Sequence, residues 1–189
     1  MANFIALYDS CVLYPAPLRD LLMHLALTDL YRAKWTNEIH EEWMRNVLAK
    51  RKDLTRDQLE RTRQLMNENV RDCLVDGYKT LIPALSLPDP NDRHVLAAAI
   101  RSSSSIIVTY NLRDFPDKSL REYGIEAQHP DDFLCHLLDL SPSMVCTAIK
   151  RLRMGLKKPP MSSEEYLESI AKHSLPNTIN FLNNMIEQL

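Results

Sequence analysis

Two rhythms of apolar and polar positions run along this chain. Short unbroken apolar runs mark strands buried on both faces, and apolar residues three and four apart mark helices with one buried stripe. Phe4 to Tyr8 (FIALY) is the first such run and reads as a central strand, with Asp9 at its carboxyl end. Pro15 and Pro17 punctuate the turn that follows. Leu18, Leu21, Leu22, Leu25 and Leu30 then recur at helical spacing, which predicts a helix from Pro17 to about Leu30. Thr36 is the cap expected for a helix over Trp35 to Lys50, striped by Ile39, Trp43 and Val47, with Glu38, Glu41 and Glu42 in its first turns. Thr55 and Gln58 stand in capping-box spacing ahead of a mostly exposed helix reaching about Asp72. Lys79 to Leu81 reads as a short strand. After Pro88 and Pro90, Asp92 opens a helix striped by Val95, Leu96, Ala99 and Ile100; Ile106 to Tyr110 is a buried strand followed by Asp114. Ile125 to Gln128 reads as a last edge strand, and Pro130 starts a helix carrying Phe133, Leu134, Leu137 and Leu138.

This alternation predicts an α/β class: a parallel sheet with right-handed crossovers and helices on both faces. The character changes after Leu140. Ser141 and Pro142 start a helix with Val145, Ile149, Leu152 and Leu156, which Gly155, Pro159 and Pro160 close. Ser162 with Glu165 starts another, and Pro176 precedes an amphipathic end at Ile179, Leu182, Ile186 and Leu189. The expected organisation is an α/β domain over 1–140 and a helical extension over 141–189, without internal repeats.

Composition narrows the function classes. The 189 residues are 45% hydrophobic and 25% charged, ordinary for one soluble core. Four cysteines, Cys11, Cys73, Cys135 and Cys146, form no CxxC pair, so neither a zinc knuckle nor a disulfide framework is indicated. MANFIALYDS lacks the basic prefix of a secretory signal, and no apolar run nears the roughly 18 residues of a membrane span. A cytoplasmic protein without membrane attachment is expected. With net charge -2 and pI about 6.3, any attraction to nucleic acid must come from a local patch or from a cation held by clustered acids.

The acids fall at telling places. Asp9 ends the first strand, Glu42 lies on the second helix, Asp92 starts a helix and Asp114 follows a later strand. Strand carboxyl ends are where open α/β sheets place ligands, and hard divalent cations need oxygen donors, so a magnesium or manganese site is the natural expectation. The segments YDSCVLYP, EIHEEW, DPNDRHVLAAAI and VTYNLRDFP, in this order, resemble the PIN-domain nucleases, especially their bacterial toxin-like branch. The resemblance spans about residues 3 to 140. It implies a PIN-like three-layer α/β/α fold and ligation of Mg2+ or Mn2+ by Asp9, Glu42, Asp92 and Asp114, with Asn111 as an orienting group. Several family members carry an acid where this chain has Asn111, which shifts the load to Asp114. Glu38 and Glu41 lie within a turn of Glu42; the motif's acid directly before the large apolar Trp43 favours Glu42. The resemblance further implies an endoribonuclease that hydrolyses RNA phosphodiester bonds through metal-activated water, acting as the toxin of a toxin-antitoxin pair, with a small antitoxin protein as partner and room for a homodimer.

Each acid alone also suits a cap or turn, Asp92 most of all, and Asp89 before Pro90 reads as a turn former. Arg93 and Arg113 neighbour site acids and suit either phosphate contact or loop-holding salt bridges. His94 reads as a packed residue beside a helix start, and Cys11 as a small buried side chain. Lys150, Arg151, Arg153, Lys157 and Lys158 suit a solvated helix face more than an RNA track. The competing class is a non-catalytic PIN-like module that binds RNA or protein.

Overall fold

The computed structural model describes residues 4–157 and 159–189, so Lys158 of the basic stretch lies outside the described residues. Four short strands, β1 (Ile5–Tyr8), β2 (Arg32–Lys34), β3 (Ile106–Val108) and β4 (Glu126–Gln128), form one parallel sheet in the order β2-β1-β3-β4. Ala6 pairs with Ala33 on one side and Ile106 on the other, and Ile107 pairs with Ala127. The first strand is central, as its apolar run requires.

Between β1 and β2 lie α1 (Ser10–Leu13) and α2 (Ala16–Ala26); between β2 and β3 lie α3 (Asn37–Lys50), α4 (Arg56–Asn69) and α5 (Arg93–Arg101). The first crossover steps one way along the sheet and the second steps back, so right-handedness puts α2 and α5 on opposite faces. This is the expected three-layer arrangement. After β3 come α6 (Asp117–Leu120), β4, α7 (Pro130–Leu140), α8 (Pro142–Gly155), α9 (Ser163–Ala171) and α10 (Pro176–Asn183). The predicted caps are in place: Thr36 on α3, and full capping boxes at Thr55/Gln58 and Ser162/Glu165.

Alternation along β1 turns Phe4, Ala6 and Tyr8 to one face and Ile5 and Leu7 to the other. On the first face Phe133 of α7 meets Phe4, Tyr8 and Tyr31 edge-on, and the Tyr8 and Tyr31 hydroxyls bond to each other. Trp35 and Trp43 are fully buried. The four cysteines are free thiols, and among the described residues no helix is long and apolar enough to cross a membrane.

Three local expectations are corrected. Lys79 to Leu81 belongs to a 3-10 helix, Lys79–Ala84, rather than a strand. It is Leu74 that forms a parallel bridge with Trp35, continuing the β2 edge. The strand β2 itself escaped notice because RAK is three residues long with only Ala33 fully buried. The helix predicted to Leu30 stops at Ala26, where Asp29 adopts a left-handed φ of 58° and Thr28 Oγ1 bonds the Leu25 carbonyl at 2.6 Å.

The carboxyl-terminal helices dock on the α/β layers. α8 packs on α2 and α7, α9 on α2, and α10 on α7. Asp131 clamps the last contact: its carboxylate accepts from Asn177 N (3.1 Å), Asn177 Nδ2 (3.0 Å), Thr178 N (2.8 Å) and Thr178 Oγ1 (2.7 Å). Tyr110, just past β3, donates to the His173 carbonyl at 2.7 Å.

Candidate functional site

The neighbours β1 and β3 send their chains in opposite directions along the sheet, and such a switch point opens a crevice at the strand carboxyl ends. Asp9 leaves β1 there, and its backbone N bonds the Val108 carbonyl at 3.1 Å. The Asp9 carboxylate is fixed on both sides. Oδ1 accepts from Ser10 N at 2.6 Å, and Oδ2 accepts from Thr109 Oγ1 at 2.7 Å and from the Cys11 thiol at 3.1 Å. Cys11 is thereby a donor beside an acid; burial and the Asp9 charge push its pKa well up, the opposite of a nucleophile's setting.

Asp92 ends a 3-10 turn, Pro90–Asp92, directly before α5. The turn is capped by Asp89, whose Oδ1 accepts from Asn91 N at 2.8 Å, as expected of a turn former. Asp92 itself makes no side-chain capping bond to α5. Its carboxyl is pushed up to about 7, first by burial, then by the charges of Asp9, Asp89 and Asp114. Asp9 and Asp114, both distant in sequence, thus lie within electrostatic reach of Asp92. Asp114 sits in the turn after β3, its N bonded to the Asn111 carbonyl at 2.9 Å, while Asn111 N bonds Thr109 Oγ1. Thr109 thus ties the two strand ends together.

The three glutamates of α3 part company. Glu41 is held by Arg56 at 2.7 Å and Arg63 at 3.2 Å on the outer surface. Glu38 accepts from the Tyr78 hydroxyl at 2.9 Å. Glu42 meets His94 Nε2 at 3.0 Å. Burial opposes charge on both partners, yet the bond between them prevails: the Glu42 carboxyl lies below and the His94 imidazole above its ordinary range. His94 Nδ1 is buried with no hydrogen-bond partner among the described residues.

Arg93 Nε braces the turn by bonding the Pro90 carbonyl at 2.9 Å. Asn111 and Arg113 are exposed at the rim. Lys150, Arg151 and Lys157 are solvated, while Arg153 Nη1 bonds the Met161 carbonyl at 2.9 Å in a structural role. Ser10 and Thr109 join the site beyond the residues expected from the sequence, and His94, expected as a packed residue, meets Glu42 there. Ser10 and Thr109 had a signal, a hydroxyl beside each strand's end; His94 had none, because its partner lies 52 positions upstream.

The donor set is all oxygen, and Asp92 carries charge that other acids oppose, which fits a hard divalent cation. Among the described residues, however, no three His, Cys, Asp or Glu side chains converge closely enough to hold one ion by themselves. The acids share a field rather than a closed cage.

A family model described as PIN domain matches residues 6–113, more than half of the chain, and one described as VapC50 C-terminal domain matches residues 130–184. The first contains Asp9, Glu42, Asp92 and Asn111 and ends one residue before Asp114. Among curated proteins, "Putative ribonuclease VapC50" of Mycobacterium tuberculosis (strain ATCC 25618 / H37Rv) is 41% identical over 96 residues, which cover 51% of this chain and 56% of that protein. The match therefore spans little more than half the length of that relative. No solved structure matches the chain.

Proposed function

The chain belongs to the PIN-domain family, and from that premise we propose that it is a divalent-metal-dependent endoribonuclease, the toxin of a toxin-antitoxin pair. The observation that carries this reading is the junction of the β1 and β3 ends, where Thr109 bonds Asp9 at 2.7 Å and leads into the turn bearing Asp114, with Asp92 near enough to feel both charges. A carboxylate kept among like charges calls for a cation. Asp9, Asp92, Asp114 and Glu42 are the residues we assign to hold Mg2+ or Mn2+, partly through the ion's own waters, since Mg2+ gives up its hydration shell reluctantly. When bound, the cation supplies charge neutralisation and a more acidic water for attack on a phosphodiester.

The protein's own groups supply position. Ser10 and Thr109 fix both oxygens of Asp9, so its geometry is set before any ligand arrives. His94 orients Glu42, and its loss would free it to turn away. Asn111 and Arg113 at the rim are placed to meet substrate phosphate, and Arg93 keeps the Asp92 turn in shape. RNA as substrate is supported by the named relative, a putative ribonuclease, and a small antitoxin as partner by the resemblance to the toxin-like branch. A cytoplasmic setting, a homodimer and the division into 1–140 and 141–189 belong to the same proposal.

Purified protein with Mg2+ or Mn2+ is expected to cleave single-stranded RNA, and Asp9→Asn and Asp92→Asn to abolish cleavage. Equal cleavage by both variants rejects the assignment. The open spacing of the acids favours one rival, a PIN-like module that binds without cutting. Calorimetry separates the two, since the rival has no need for Mg2+ affinity that Asp114→Asn removes. Co-expression with small proteins encoded beside the gene tests the antitoxin: suppression of growth arrest by none of them removes that part.

A further inference from the structure

One helical turn before Glu42, about 5.4 Å along α3, a second cavity opens beside the acid crevice. It measures about 630 Å³ and lies between the first turns of α3 and the segment Val75 to Thr80. That volume suits a small ligand or one nucleotide unit. Val75 and Tyr78, both nearly buried, give it an apolar floor.

Two polar groups in its wall are held in fixed orientation, Asn37 by Arg63 from outside the cavity and Glu38 by Tyr78 within it. Asn37 Oδ1 accepts from Arg63 Nη2 at 2.8 Å, so the Asn37 amide directs its NH2 donors away from that bond. Glu38 Oε2 accepts from the Tyr78 hydroxyl at 2.9 Å, and Oε1 has no hydrogen-bond partner among the described residues. The cavity therefore presents a donor beside a carboxylate. Glu38, Glu41 and Asp76 line it against one cation, Lys79, which disfavours a phosphate and favours the uncharged, donor-rich part of a nucleotide.

Resting on the ribonuclease reading above, we propose that this cavity is a base-specificity pocket that takes one unpaired guanine of the RNA substrate. Single-stranded bases expose their Watson-Crick edges to protein groups. Guanine alone sets two adjacent donors, N1–H and the N2 amino group, beside an acceptor, O6. The donors match the two oxygens of Glu38, and O6 matches the Asn37 NH2. Adenine and cytosine place a ring acceptor next to their single amino group, facing a carboxylate oxygen; uracil has one donor flanked by carbonyls. Glu38 and Asn37 are specificity residues, one turn from the acids that cut.

The test uses fluorescence anisotropy with labelled single-stranded RNA heptamers carrying one guanine, one inosine or one adenine, on the full chain in EDTA, where cleavage is off. Inosine lacks only the N2 amino group. The expected preference for guanine over either analogue is about tenfold, the scale of a bidentate base contact. Glu38→Gln keeps an acceptor for Tyr78 and is expected to bring the guanine-to-inosine ratio near one; Asn37→Ala, at an exposed position, is expected to lower the guanine-to-adenine ratio. Sequencing of RNA ends made in Mg2+ is expected to show guanine at a fixed offset from the cut, lost in Glu38→Gln. Equal binding of guanine and inosine heptamers by wild type overturns the pocket and points to a cationic side chain as its occupant. A guanine preference without any cleavage leaves the pocket standing and removes the nuclease reading; cleavage without a base preference does the reverse.

Discussion

Asp92 and Asp131 begin from nearly the same local sequence, an acid within two residues of a proline that opens a helix, and end with opposite fates. Asp131 is 3% exposed and receives four hydrogen bonds from Asn177 and Thr178. Burial works against its charge, but those donors outweigh it and hold the carboxyl below its ordinary range. Asp92 has no such donors; burial and three neighbouring acids hold it near 7. One carboxylate is satisfied by the protein and serves as a clamp between α7 and α10. The other is left in want of a positive charge, which a structural acid has no reason to be.

Exchanging the properties of the two acids tests this contrast, and the largest effect is on cleavage. Asp92→Asn is expected to lower RNA cleavage about a thousandfold while raising the cation-free melting temperature, because it removes like-charge repulsion. Lower stability from this change would place Asp92 with the clamps. Asp131→Ala should do the converse and cost about 2–4 kcal/mol in urea unfolding, since it strands buried donors of α10. Hydrogen exchange should show the opening concentrated in α10.

The pH dependence of the clamp has a definite sign. A carboxyl depressed in the folded protein adds stability above its unfolded pKa, about 3.9, and that contribution fades as pH falls through the folded value. Acidification below about pH 4 should therefore weaken wild type more than Asp131→Asn, measured as the change in unfolding midpoint. Smallest is Tyr110→Phe, which removes the bond to the His173 carbonyl between the β3 loop and the extension. It is expected to cost about 1 kcal/mol, and a larger drop in cleavage than in stability would show that the extension steadies the acid-bearing loop.

Much of the architecture was legible from periodicity. The central strand, the capped helices, the edge strand at Gln128 and the helical character after Leu140 all follow from local spacing and cap chemistry, because each rests on contacts within a few residues. Less legible were β2, whose three residues carry too little pattern, and Lys79 to Leu81, where Pro83 removes a backbone donor and an i+3 turn prevails. In the site, residue types and order singled out Asp9, Glu42, Asp92 and Asp114 as candidates. Among the three glutamates of α3, only the place of Glu42 directly before Trp43 set it apart from Glu38 and Glu41.

By itself the chain determined where β1 and β4 stop and which acids follow the strands, since short-range sterics and apolar spacing are written residue by residue. Tertiary structure decided the rest: β1 beside β3, Thr109 bonding Asp9 across 100 positions, His94 meeting Glu42, and Asn177 and Thr178 reaching Asp131 but nothing comparable reaching Asp92. The physical reason is that a carboxylate's charge state depends on the donors and charges packed around it, and those neighbours are assembled by strand order and helix docking, to which local pattern is blind.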